Sequence, residues 1–122
     1  MRVTTAFKRL LRLDGVNVTN VEFFTTAVEV TVALRRRRLI CPHCGHKTPF
    51  RYDTRPVASR WRHLDLGAWQ VELRATLRRL SCPTHGVVTE QVPFARPGAN
   101  LTRDFDDLLA WLATRMDKTA IA

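Results

Sequence analysis

The sequence predicts a small α+β domain: an antiparallel β body carrying a short N-terminal helix and a C-terminal helix. Three observations predict it. Apolar residues alternate in short runs through the middle of the chain, recur at helical spacing near both ends, and lead twice into the same tight-turn motif. That motif is Arg37-Arg38-Leu39-Ile40-Cys41-Pro42-His43-Cys44-Gly45, echoed at Arg78-Arg79-Leu80-Ser81-Cys82-Pro83-Thr84-His85-Gly86. At 122 residues, 45% of them hydrophobic, the chain has room for one domain or one domain with an appended element.

The elements follow in order. Residues 3–13 suit a helix, with Phe7, Leu10 and Leu11 on one face and Gly15 as a stop. Val18 to Thr25 and Ala27 to Leu34 suit strands. In the second, Val28, Val30, Val32 and Leu34 alternate with Glu29, Thr31 and Ala33, the signature of a half-buried strand. That strand is expected to run on through Arg35–Arg38, either alternating across it or curling as it enters the first turn motif, with Phe50 to Asp53 as its return and Pro56 as the break. Ser59 to Leu66 reads as another strand and Gly67-Ala68 as a turn. Gln70 to Leu80 reads as one long strand into the second motif, with Val71, Leu73, Ala75 and Leu77 on one face. A shift of 41 residues superimposes the two strand-plus-turn units. Val87 to Val92 returns from the second motif. Pro93, Pro97 and Gly98 mark a linker. The C-terminal helix carries Leu101, Phe105, Leu108, Leu109, Leu112 and Met116 on one stripe. Asn100 or Thr102 is placed to cap it, Asp104, Asp106 and Asp107 sit in its first turns, and Arg115 and Lys118 lie near its end.

The repeat holds all three cysteines. Each copy offers two soft ligands two residues apart, and four such ligands close a tetrahedral zinc site. Cys41, Cys44, Cys82 and His85 are therefore the expected ligands of one structural Zn2+, and two such knuckles facing one another form a zinc ribbon. With four protein ligands no position stays open for a reactive water. A thiol–disulfide role for Cys41-Pro42-His43-Cys44 is the weaker reading, because Gly45 and Pro49 follow where an amphipathic helix would have to begin. His43 and His46 are alternative ligands, and His63 suits a strand surface or the core. A metal-type cysteine doublet fits a reducing cytoplasm. No stretch is apolar enough for a membrane span, and no secretory signal opens the chain.

The formal net charge is +9 and the sequence pI about 11.0. From Arg35 to Arg79 there are twelve Lys or Arg against three acids, while the remainder of the chain balances to zero. A basic surface concentrated on a small domain attracts a polyanion, most often nucleic acid. Arg35, Arg36, Arg37, Arg38, Arg60, Arg62, Arg78 and Arg79 are the candidate DNA-binding residues. Trp61 and Trp69 flank them and suit the core better than a stacking role. No catalytic constellation is visible.

Five segments carry a family resemblance: Cys41 to Gly45, Tyr52 to Arg55, Trp61 to Gly67, Arg78 to Val87, and Val92 to Arg96. Together they resemble the N-terminal part of bacterial insertion-sequence transposases of the ISL-three family, and the likeness covers essentially the whole chain. The resemblance implies a zinc finger that helps recognise the terminal inverted repeats of the element. A helix-turn-helix would follow, with Phe105 to Ala122 as its first helix and the beginning of its second. On that basis residues 1–95 form a zinc-ribbon-like DNA-binding domain, and residues 96–122 a linker and the first part of a truncated helix-turn-helix. The catalytic domain of the full-length relatives is expected to be absent, so the chain should not be an enzyme. Expected partners are DNA and, through oligomerisation, a second copy or an intact transposase, in the bacterial cytoplasm at the nucleoid. Two alternatives stay open: a zinc ribbon that binds RNA, and one that binds an acidic protein partner.

Overall fold

A computed structural model describes residues 2–13 and 15–119, with side chains described as far as residue 115. Helix α1 (Val3–Leu11) buries Phe7 and Leu11 and ends where Arg12 turns left-handed, its N–H reaching the Lys8 carbonyl. Leu10, expected on the buried face, is instead exposed, because Phe7 and Leu11 (one turn apart) already define the contact line. The strands are β1 (Val16–Phe23), β2 (Ala27–Leu34), β3 (Leu39–Ile40), β4 (Lys47–Thr48), β5 (Asp53–Thr54), β6 (Ser59–Leu66), β7 (Trp69–Ala75), β8 (Arg78–Cys82) and β9 (Gly86–Thr89). Helix α2 spans Arg103–Thr119.

A four-stranded sheet in the order β1-β2-β7-β6 forms the body. Its inner face is the alternating set read from the sequence: Val28, Val30 and Val32 from β2, and Val71, Leu73 and Ala75 from β7. Each fully buried valine or leucine here contributes about 1.5–3 kcal/mol. Phe7, Leu11, Val16, Trp61, Leu77, Val92, Phe94 and Ala95 close over that face, and Trp61 meets Phe94 edge-on with centroids 4.8 Å apart. Trp69 is not in the core. It is 39% exposed and packs edge-on against Phe23. The outer face is charged: Glu29 receives both Arg60 and Arg74, and Arg60 also reaches Glu72. Burial pushes the Glu29 carboxyl up, but hydrogen bonds from Arg60 and Arg74 outweigh it and hold the group below its ordinary range.

The pairings are antiparallel except at the sheet's centre, where β2 and β7 run parallel. The parallel pair has a simple cause. Each strand leads to one copy of the turn motif, and both motifs must arrive at the same end of the molecule to meet. Val28 lies opposite Val71 and Val30 opposite Leu73, an offset of 43 where the motifs are 41 apart. A difference of two residues keeps every side chain on its face, since strand sidedness has a period of two.

The long strands expected to run into the motifs are interrupted. β2 stops at Leu34, and Arg35–Arg38 form a bend in place of alternating along a strand. The 70–80 run breaks at Thr76-Leu77, where β7 ends and β8 begins. The return strand of the first unit is Lys47–Thr48, paired with β3. Of the expected return, Asp53–Thr54 leaves that unit and adds to the second, beside β8.

The linker after Pro93 is docked against the sheet. Arg62 N–H donates to the Asn100 carbonyl and Thr102 N–H to the Arg62 carbonyl, each at 2.9 Å, so Leu101 adds a parallel bridge to the edge of β6. Thr102 is the cap of α2: its hydroxyl accepts from Phe105 N–H and lies 2.7 Å from His63 Nδ1, both side chains being buried. Burial lowers the His63 pKa, with Asp104 opposing, so the imidazole stays neutral in this contact. Arg96 pairs with Asp106 and Asp107 in the first turns. Beyond them the apolar stripe is open, with Leu108, Leu109 and Trp111 exposed. Met116 and Lys118 as side chains, and the expected start of a second helix, lie outside the described residues.

Because one hydroxyl serves both as helix cap and as partner of a buried imidazole, Thr102→Val should cost about 1–3 kcal/mol. Chemical denaturation should show that loss, and the helical circular dichroism should fall with it.

Candidate metal centre and its basic surroundings

Two short hairpins build the centre. In the first, the β3–β4 pair presents Cys41 and Cys44 from one turn. Cys41 N–H donates to the His46 carbonyl and Gly45 N–H to the Cys41 carbonyl, at 2.8 and 3.0 Å. In the second, Cys82 and Gly86 close the β8–β9 hairpin and the turn between them carries His85. Gly45 and Gly86 take φ of 77° and 73°. That left-handed backbone strains any residue with a Cβ, which is why each knuckle ends in glycine.

Under the turns lies a second, smaller core of Leu39, Cys41, Leu80 and Cys82, flanked by Val88. The motif's own leucines, Leu39 and Leu80, are 1% and 0% exposed. They seat the two knuckles against each other.

The four candidate donor atoms converge, all within 4.8 Å of one another. Cys44 Sγ lies 3.5 Å from Cys82 Sγ, and His85 Nδ1 lies 3.7 Å from Cys41 Sγ and 3.6 Å from Cys82 Sγ. Two sulfurs each about 2.3 Å from a shared tetrahedral ion would sit about 3.8 Å apart. A disulfide would need about 2.05 Å, and all three cysteines are free. Burial pushes the Cys82 thiol up, but backbone N–H groups of His85 and Thr84, the His85 ring and Cys44 bring its pKa down to about 6. The backbone N–H at His46 pulls the Cys44 thiol down, while Cys82, burial and Cys41 push it up, for a net rise. Thiols this close ionise interdependently, and a metal ion would take them as thiolates. The donor set and spacing fit Zn2+, and no position is left for a reacting water. Of the alternative ligands, His46 supplies its carbonyl to the knuckle, and the exposed His43 ring sits 5.1 Å from that of His85.

The eight candidate DNA-binding arginines fall into two groups. Arg35, Arg37 and Arg38 are exposed at the neck of the first knuckle and make no ion pair among the described residues. The other five are engaged within the chain. Arg78 pairs with Glu90, whose carboxylate also accepts from the Arg78 N–H, and Arg79 clamps Asp53 with both arms while lying over the Tyr52 ring. Arg60 joins Glu29 and Glu72, and Arg62 joins Asp65 and stacks on Phe105. Arg36 reaches the Gln91 carbonyl, and burial lowers its pKa, with Glu90 opposing and Arg78 adding. Glu90 was invisible to sequence reasoning. It is 4% exposed, and a lone glutamate in a β-prone run carries no signal of its partner.

Comparison with known proteins decides the family. Residues 37–85 match the zinc-finger of transposase IS204/IS1001/IS1096/IS1165, and residues 90–122 match the helix-turn-helix domain of transposase family ISL3. The chain belongs to the ISL3 transposase family. It carries that family's zinc finger, and its cofactor is a structural zinc ion. Neither matched region is a catalytic domain. The chain is also similar to the transposase for insertion sequence element IS1557 of Mycobacterium tuberculosis, in strain CDC 1551 / Oshkosh and in strain ATCC 25618 / H37Rv. Each is 37% identical over 129 residues, covering 99% of this chain and 29% of the relative. The chain thus spans less than a third of the length of these relatives. No solved structure matches it. No helix among the described residues is long and apolar enough to cross a membrane.

Three outcomes are expected. Native mass spectrometry should find one zinc per chain, lost in Cys82→Ser. Chelation should unfold the ribbon, since apparent zinc binding of about 10–16 kcal/mol is largely folding energy. Glu90→Ala strands the Arg78 guanidinium and should cost about 3–5 kcal/mol in urea unfolding.

Proposed function

We propose that this chain is a zinc-held DNA-binding module that contributes to recognising the terminal inverted repeats of an insertion element. Cys41, Cys44, Cys82 and His85 ligate the ion. Residues 1–95 form the DNA-binding ribbon, and residues 96–122 lead from it into a helix-turn-helix. Arg35, Arg37 and Arg38 meet the phosphate backbone, while Arg36, Arg60, Arg62, Arg78 and Arg79 shape the surface that aims them. The module does not itself cut or join DNA. It acts in the cytoplasm at the nucleoid, alone or in association with another copy or an intact transposase.

The observation that carries this reading is the bend at Arg35–Arg38. A cluster of three exposed arginines, without acidic partners among the described residues, stands at the neck of a metal knuckle. Carboxylates inside the fold account for Arg60, Arg62, Arg78 and Arg79, and the Gln91 carbonyl for Arg36, which leaves these three unexplained. The family's zinc finger and helix-turn-helix in one chain, and the insertion-sequence transposases it resembles, support the choice of DNA.

Binding to a duplex carrying the element's terminal repeat, followed by fluorescence anisotropy, tests it. Three phosphate contacts imply a roughly fortyfold loss of affinity between about 50 and about 200 mM salt, and a scrambled duplex should bind more weakly. Affinity indifferent to salt would remove the phosphate contacts from the proposal. Equal affinity for the scrambled duplex would remove terminal-repeat recognition.

A further inference from the structure

One groove of the molecule is basic for a reason that the neck arginines do not supply. About 750 Å³ in volume, it opens between the first knuckle, strand β6 and the linker that leads to α2. Its walls therefore come from both family-matched regions, 37–85 and 90–122. Arg55, Arg60, Arg96 and His43 line it over a floor that includes Trp61. Glu90 is the acid among the lining residues, and its carboxylate is taken up by the Arg78 backbone and guanidinium. The acids that pair with Arg60 and Arg96 are Glu29, Glu72, Asp106 and Asp107, none of which lines the groove.

Arg55 is the informative residue. Its backbone N–H is fixed on the Leu77 carbonyl, so the side chain is delivered to the groove from a rigid point. Its guanidinium is exposed and, among the described residues, holds only the Ser59 hydroxyl, at 3.1 Å, with no acid paired to it. A guanidinium with one neutral partner keeps most of its donors and all of its charge for an incoming anion.

We propose that this groove seats one strand of the DNA sugar–phosphate backbone, with Arg55 as the anchoring phosphate contact. The volume is that of a small-molecule cleft, so a backbone edge enters it and a whole duplex does not. The assignment rests on the DNA-binding reading above and adds to it a second contact surface, separate in sequence from the Arg35–Arg38 neck. A backbone held in this groove touches the ribbon and the lead-in to α2 together.

The test compares salt slopes for zinc-loaded wild type, Arg55→Gln, Arg55→Glu, Arg55→Lys and Arg9→Gln on one duplex. Zinc content and unfolding midpoint are measured on each. Arg9 is an exposed arginine of α1 that lines no part of the groove. The expected result is a slope shallower by about 0.9 in Arg55→Gln, a larger loss of affinity in Arg55→Glu, recovery in Arg55→Lys, and no change in Arg9→Gln. Should the wild type bind and Arg55→Gln keep its slope, or should Arg9→Gln lose as much, the groove is not the seat and the DNA reading survives. A wild type that binds no DNA removes the DNA reading, and the groove assignment with it.

Discussion

Everything in this fold depends on four donor atoms brought together from two places in the chain. Cys41 and Cys44 lie about forty residues from Cys82 and His85, yet their sulfur and nitrogen atoms sit within 4.8 Å of one another. Satisfying one tetrahedral ion from two like turns requires the turns to face each other at one end of the molecule. It also forces the strands leading to them to run side by side in the same direction. The parallel β2–β7 pair at the centre of the sheet is the consequence. The two leucines that precede the cysteines complete the arrangement by filling the space between knuckles. A small sheet with one apolar face gains its second anchoring point from the ion rather than from a larger core.

Charge is organised around the same frame. The chain's excess of basic residues suggests a uniformly positive surface, but much of it is neutralised internally. Glu90 holds Arg78, Asp53 holds Arg79, and the outer face of the sheet ties Arg60 and Arg74 to Glu29. The two copies of the motif have divided the work. Arg78 and Arg79 in the second copy brace the structure. Arg37 and Arg38 in the first copy stay exposed, next to Arg35. Equivalent positions in a repeat need not keep equivalent roles once acids arrive beside one of them.

Much of this was legible in the sequence. Ala27–Leu34 and Ser59–Leu66 are strands with the bounds their alternation implied, and the four converging donors are those the spacing selected. What escaped was set by contacts between distant segments. At the four consecutive arginines the sequence left both an alternating strand and a curl open, because strand propensity in Val28–Leu34 does not say where the knuckle's geometry takes over; the structure has the bend. Asp53–Thr54 joined the second unit because Arg79 lies opposite Asp53 there. Pro93, Pro97 and Gly98 mark a linker, and nothing in them says where it docks. It docks because Thr102 meets His63 and Leu101 bridges the edge of β6, partners that lie nearly forty residues back.

The mismatch between 43 and 41 has a meaning for how such a chain can vary. The sheet fixes one spacing and the ion another, and the two bends that separate them absorb the difference. The pleat returns to the same side every second residue only inside a strand, so a single insertion within Ala27–Leu34 or Trp69–Ala75 would turn the residues beyond it inside out, exposing valines and burying a glutamate. The bends at Arg35–Arg38 and Thr76-Leu77 carry no such sidedness, so changes of length on the way to either knuckle belong there.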